Sequence, residues 1–364
     1  MRRILLIVIL VVVCVSLSAQ FAPYGQVRMN VWYELPDEDH AREDRLMLNY
    51  GLQGNSRFGA DFRQGDLTSR VEFGFNGSNA SPANPVSLRL AWARQNFGSW
   101  SLLVGQDAVM FNRATQTWGT DLGLDGYGAI DGGRHPQIRA DFNIDRDRFY
   151  VALIRPNTAN APFGQQGISA LIPAINLGYD VIRDNFRLMP AVMVQMYNYD
   201  DEYSNFKLGS TDRVDCQITS WILAITADFT FDALTLRVHG NYGQNTGNMG
   251  FAGRANFAAP NQVDGKTAHT ASLGGYGMVG YRLNPIATVN AGFGFAMAQT
   301  SSGNHLFSHD DTRMAGYLNT VITAGGNGLQ IVPEVGWVSE GTDFTDTDRG
   351  SVLYFGTQLR YSFR

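Results

Sequence analysis

Leu67-Thr68-Ser69-Arg70-Val71-Glu72-Phe73-Gly74-Phe75-Asn76 divides its side chains by parity. One set reads Leu, Ser, Val, Phe, Phe; the other reads Thr, Arg, Glu, Gly, Asn. Successive side chains of a β-strand point to opposite faces, so a strand here is greasy on one side and charged on the other. The same division recurs along the chain. Val27, Met29, Val31 and Tyr33 oppose Arg28, Asn30 and Glu34; Phe58, Ala60 and Phe62 oppose Arg57, Asp61 and Arg63. Ile138, Ala140 and Phe142 oppose Arg139, Asp141 and Asn143; Leu234, Leu236 and Val238 oppose Arg237, His239 and Asn241. Sixteen such segments are legible, from 25–34, 46–63 and 67–77 at the front to 311–324, 328–340 and 350–363 at the end.

Their connections alternate in length. Tight ones such as Gln64-Gly65-Asp66, Phe97-Gly98, Asp145-Arg146 and Phe231-Asp232 take turns with long ones, of which 107–135 is the longest. Antiparallel strands running up and down through a membrane produce this rhythm. A soluble β-sandwich also alternates apolar and polar residues, but its strands are shorter, five or six residues on average. Here strands reach the roughly 9–11 residues that a tilted membrane strand needs, and arginines and carboxylates share the polar face. One wall then meets hydrocarbon and the other water. Open strand edges do not survive in lipid, so the sheet must close. Phe62, Phe97, Phe149, Phe186, Phe229, Phe231, Tyr281, Tyr361 and Phe363 lie beside the short turns, as an interfacial girdle would. The expected fold is an all-β, sixteen-stranded transmembrane antiparallel barrel with short periplasmic turns and long outer loops. A barrel of that size is too wide for side chains to fill and encloses an aqueous channel.

The front of the chain supports export. Met1-Arg2-Arg3 precedes an apolar run from Ile4 to Val15, of a length that suits a signal peptide and is too short to span a bilayer. Ser16, Ser18 and Ala19 are small, so residues 1–19 read as a signal peptide and 20–364 as the outer-membrane barrel. Val13 before Cys14 argues against a lipoprotein site. Loss of Arg2 and Arg3 leaves 26 basic against 33 acidic residues, a net charge of −7, which does not suit nucleic-acid binding. Only Cys216 remains in the mature chain, so an intramolecular disulfide and a cysteine-rich zinc site are both excluded.

On this register the wall presents Arg28, Arg57, Arg70 and Arg89 from the first four strands. The connection 107–135 carries Asp107, Asp121, Asp125 and Asp131 among glycines. Folded inward, it would set carboxylates against arginines across a constriction. Such a transverse field favours small polar solutes. The competing reading pairs these arginines with wall carboxylates such as Asp61 and Glu72.

Ser56-Arg57-Phe58-Gly59 followed by Arg70-Val71-Glu72-Phe73 resembles the second and third strands of the general trimeric porins of Gram-negative bacteria. Leu88-Arg89-Leu90-Ala91-Trp92, Phe97-Gly98-Ser99-Trp100 and Leu103-Val104-Gly105-Gln106-Asp107 are similar to their fourth and fifth strands. The resemblance covers 56–107, with the strand count and C-terminus agreeing beyond it. It implies a trimeric barrel whose third loop folds into the lumen, with Arg57, Arg70 and Arg89 facing acids of that loop. The alternating C-terminal strand resembles the barrel-assembly signal, except that Arg364 follows Phe363.

Other constellations carry less. His305 and His309 with Asp310 and Asp311 read as a solvated loop rather than a metal site, and His239 near Asp228 lacks the third group a hydrolase needs. Gly292 and Gly294 fit either a subunit boundary or a bulge. Inward aromatics Trp32, Tyr150, Tyr197 and Tyr276 fall on distant strands and make no stripe. The expected function is passive diffusion of small hydrophilic solutes and ions, with a solute-selective channel and a loop-displaying adhesin as alternatives. No cofactor, metal, catalysis or nucleic acid is expected. Expected partners are outer-membrane lipid, lipopolysaccharide and two further copies of the chain.

Overall fold

The computed structural model describes residues 20–37, 45–75, 86–111, 124–130, 133–157, 168–170, 172–199, 216–250, 269–300, 310–325, 328–343 and 346–364. The strands are β1 Gln20–Pro36, β2 Met47–Leu52 with Arg57–Gln64, β3 Leu67–Phe75, β4 Val86–Asn96, β5 Trp100–Ala108, β6 Arg134–Ile144, β7 Asp147–Ile154 and β8 Ile168–Ser169 with Ala174–Ile182. They continue as β9 Phe186–Tyr199, β10 Cys216–Phe231, β11 Leu234–Gln244, β12 Thr270–Asn284, β13 Ala287–Thr300, β14 Asp311–Ala324, β15 Leu329–Ser339 and β16 Ser351–Phe363. Each pairs antiparallel with its sequence neighbours, and β16 pairs with β1 from Gly25↔Phe363 to Pro36↔Val352. The result is a closed sixteen-stranded barrel. Closure leaves no sheet edge to be satisfied by lipid.

The greasy faces look outward. Val27, Met29 and Val31 are each 42 % exposed, while Trp32, next to Val31 on the same strand, is 3 % exposed and faces the lumen. Short turns supply the positive φ that two-residue hairpins require: Gly65 at 57°, Asp145 at 54° and Asp232 at 48°. The aromatics beside these turns touch one another around the rim. Phe97 stacks on Trp100 at 4.4 Å, Trp100 on Phe142 at 6.3 Å, and Phe142 on Phe149 at 6.2 Å.

Three departures from the sequence reading matter for the lumen. The segment 46–63 is interrupted: Ser56 N–H donates to the Gln53 carbonyl at 2.9 Å, and β1 pairs with Leu52 through Met29 but with Arg57 through Gln26. Four residues of β2 thus sit opposite two of β1, and the excess makes a turn that carries Gln53 to Ser56. Next, the connection after β11 does not lead straight outward. Thr246–Met249 form a buried 3-10 turn. Finally, Gly292 and Gly294 face the lumen inside unbroken pairing, so neither a bulge nor a subunit boundary accounts for them. A Cβ on Gly292 would meet the Tyr317 ring at 2.4 Å, and one on Gly294 would meet the Tyr127 carbonyl at 2.1 Å.

Candidate pore lining

The third loop lies inside the barrel. Its entry is closed by Val109 N–H donating to the Gly133 carbonyl at 3.1 Å, and the Tyr150 hydroxyl donates to the Met110 carbonyl. Val109, Phe111 and Ile130 pack against lumen-facing Ala152, Ile154, Ala191 and Met193, with Met249 of the buried turn beside them. The tip crosses to the opposite wall, where Leu124 and Ala129 pack among Trp32, Tyr276, Tyr317 and Tyr354. Gly128 adopts φ +103°, and a Cβ there would lie 2.1 Å from the Gly275 carbonyl oxygen, so only glycine lets the loop backbone come this close. Asn241 Nδ2 donates to the Gly128 carbonyl at 2.8 Å, and the Tyr127 hydroxyl donates to Glu340 at 2.5 Å. Burial, then the Glu340 carboxylate, push the Tyr127 phenol above its ordinary range.

The loop therefore presses its apolar side on β7–β10 and its tip on β12–β16 and β1. On β2 and β3, Arg57 and Arg70 stay partly exposed on the lumen wall, whereas Arg89 of β4 is buried. Arg57 and Arg70 retain 32 % and 35 % of their side-chain exposure. Their partners are wall carboxylates, as the competing sequence reading had it. Arg70 makes a two-pronged pair with Asp61 at 2.6 and 3.0 Å and lies 5.1 Å over the Tyr24 ring. Glu72 takes Arg89 at 2.8 Å, Arg57 at 3.6 Å and the Tyr24 hydroxyl at 2.9 Å. Arg28 Nε donates to Gln26 at 2.7 Å.

The acidic residues are distributed differently from the expectation. Asp107 belongs to β5 rather than to the free loop, and it pairs with Arg139 at 3.0 Å. Asp125 sits at the tip, in a one-residue bridge with Ala129. No ion pair joins Arg57, Arg70 or Arg89 to Asp107 or Asp125 among the described residues. Asp121 and Asp131, residues 1–19, and His305 with His309 lie outside the described residues.

A larger charged belt escaped the sequence reading. Asp141 holds Arg139 at 3.2 Å, Arg94 at 3.5 Å and Arg148 at 3.8 Å; Asp180 holds Arg148 at 3.4 Å and a two-pronged Arg187. Asp228 holds Arg237 at 2.5 and 2.9 Å. Apart from Arg139, these groups sit within four residues of the short turns on β4 and β6–β11. Trp92 was missed for a different reason. Pairing slips between Glu72 and Phe73, and this bulge puts both Arg89 and Trp92 against lumen-facing partners although their parities differ. His239 is held by Thr226 at 2.8 Å and stacks on Tyr276, while Asp228 is taken by Arg237; the two do not form a pair.

No family model matches the chain, and no curated protein matches it. Solved structures do. The outer membrane channel DcaP of Acinetobacter baumannii is 17 % identical, with 95 % of this chain and 98 % of that one covered and a TM-score of 0.76. The anion-selective porin from Comamonas acidovorans is 12 % identical over 95 % and 100 % of the two chains, with a TM-score of 0.64. OmpF of Salmonella typhi, solved in complex with daunomycin, is 11 % identical over 95 % and 98 %, with a TM-score of 0.64. At these identities the likeness speaks for the architecture. The chain has the sixteen-stranded, closed-barrel fold of the outer-membrane porins of Gram-negative bacteria.

Proposed function

We propose that the protein is an outer-membrane channel for passive diffusion of small hydrophilic solutes and ions, and that it is not an enzyme. The observation that carries this reading is the position of the third loop. Its apolar residues are docked on one side of the lumen, and the partly exposed Arg57 and Arg70 of β2 and β3 line another. A purely structural barrel has no use for charged groups on a water-facing wall beside an inward loop. Residues 1–19 serve as the export signal, and the barrel works as a homotrimer seated in lipid and lipopolysaccharide. Acids of the loop, Asp121, Asp125 and Asp131, complete the constriction opposite Arg28, Arg57, Arg70 and Arg89, with Asp107 acting from the wall.

The aromatic lumen residues bear on the alternative of a solute-selective channel. Trp32, Tyr276, Tyr317 and Tyr354 come together once the barrel closes, but they are covered by Leu124 and Ala129. They seat the loop rather than offer a track to a solute, which favours general diffusion. Reconstitution in a planar bilayer tests the reading. Ohmic current arriving in steps of three is expected, and joint replacement of Arg57, Arg70 and Arg89 by glutamine should change conductance and ion preference. A protein that inserts but carries no current would leave the display reading in its place.

A further inference from the structure

The tip of the third loop is held by a chain of hydrogen bonds whose order admits one protonation state of a histidine. Thr226, His239 and Tyr276 stand side by side in the register of β10, β11 and β12, and Asn241 lies two residues beyond His239 on the same lumen face. His239 and Asn241 are buried, at 2 % and 5 % exposure. The His239 ring stacks on Tyr276 at 5.1 Å. Its Nδ1 lies 2.8 Å from the Thr226 hydroxyl, and its Nε2 lies 3.2 Å from Asn241 Nδ2. The same Nδ2 donates to the Gly128 carbonyl of the tip at 2.8 Å. That second contact fixes which way round the amide sits. Turned over, Asn241 would set its own Oδ1 against the Gly128 carbonyl oxygen, and two acceptors would face each other. An amide nitrogen carries two hydrogens and accepts no hydrogen bond, so one hydrogen goes to Gly128 and the other to His239. Nε2 is then the bare acceptor, while Nδ1 carries the ring proton and donates it to Thr226.

A second ring proton breaks this order, because imidazolium is a donor at both nitrogens. Its Nε2–H would point at the amide hydrogens of Asn241, in a buried place where an unmade hydrogen bond is costly. Asn241 meets that donor only by turning its oxygen to the ring, which it cannot do while it holds Gly128. A charged His239 and a held Gly128 therefore exclude each other. The charged and titratable groups around the ring leave this conflict in place. From β10, Asp228 is engaged in a two-pronged pair with Arg237 of β11. Tyr276 covers the ring from β12, and Gly294 stands opposite Tyr276 on β13. Tyr317 of β14 and Asp125 of the tip lie near enough to act electrostatically on Tyr276. Among the described residues, Asn241 is the one side chain that donates to the Gly128 carbonyl. The neighbouring Tyr127 keeps its own anchor on Glu340, so a tip released at Gly128 pivots rather than leaves the wall.

We infer that His239 and Asn241 form a proton-operated latch on the third loop: the neutral ring lets Asn241 hold the tip, and the charged ring makes it release Gly128 and change the passage. The inference rests on the channel reading above and adds a regulation to it. Single-channel recording of the whole protein in potassium chloride, from about pH 8 down to about pH 4, is the test. A second conductance level should gain occupancy reversibly as the pH falls, by roughly two- to tenfold, the change that loss of one hydrogen bond gives. His239→Gln cannot gain a charge and should keep one level across the range. Asn241→Ala lacks the latch and should show the second level already at the alkaline end, with little change below it. If either variant fails to insert, nitrogen-15 spectra of the histidine-labelled wild-type protein decide. One imidazole should carry its proton on Nδ1 at the alkaline end and become imidazolium over the range in which the conductance changes. Conductance indifferent to pH, or spectra without such an imidazole, would overturn the latch and leave the channel intact. A response that persists in His239→Gln would also overturn it, by assigning the titration to another group such as Glu340. Absence of current at every pH would overturn the channel reading itself.

Discussion

Glu72 is one carboxylate serving three donors: Arg89, Arg57 and the Tyr24 hydroxyl. Its side chain and that of Arg89 are almost wholly buried, at 5 % and 9 % exposure. A buried ion pair gains little over an apolar pair, but losing one member strands the other's charge. Glu72→Ala should therefore cost about 3 kcal/mol, measured by urea unfolding of the reconstituted barrel. The same variant should move the reversal potential in a salt gradient toward that of anions, because Arg57 and Arg89 lose their counter-charge. A stability loss without a change in reversal potential would place Glu72 outside the lumen's electrostatics. At this scale the sequence was informative about which residues face water and silent about their partners. Parity put Arg57, Arg70, Glu72 and Asp61 on one wall. Whether an arginine there meets a wall acid or a loop acid depends on cross-strand register, which hydrophobic alternation does not report.

Among the elements, the strands were the most legible, since each carries its own two-residue period. The inward pieces were not. Thr246–Met249 and the Gln53–Ser56 turn have no periodicity of their own, and their burial comes from what they touch across the lumen. The slip between β3 and β4 had a signature, Arg89 and Trp92 of unlike parity, but one that strict alternation hides. The third loop holds its course through a contact between backbones at Gly128. Gly128→Ala would introduce both a Cβ clash with the Gly275 carbonyl and an unfavourable φ, at about 1–3 kcal/mol. The tip should lift from its seat. The expected outcome is a noisier channel of altered conductance in a barrel that still migrates as folded on a gel. Unchanged current would mean that the tip's seat does not govern the passage.

For the whole molecule, the decisive property is which surface meets lipid. Val31 and Asn30 are consecutive on β1 and point to opposite sides of the wall. Val31→Arg should cost about 2–4 kcal/mol, as arginine does on a lipid-facing strand near mid-depth, and should lower the yield of folded protein in membranes. Asn30→Arg should fold normally and alter only ion preference. Equal tolerance of both changes would contradict an outward oily face. Closure itself was legible in the sequence, but its consequence for the lumen aromatics was not. Alternation placed Trp32 and Tyr276 on distant strands, yet Trp32 meets Tyr354 at 5.7 Å between ring centres because β1 and β16 are neighbours.

That adjacency has a consequence for biogenesis. The row Gln330–Arg360–Arg28 draws on the first and the last two strands of the barrel, so it does not exist until β16 has zipped onto β1. A chain cut short before β16 retains most of the hydrophobic exterior and Arg28, but lacks Arg360 and so does not form this row. The charged lining at this seam is thus assembled in the same event that seals the wall.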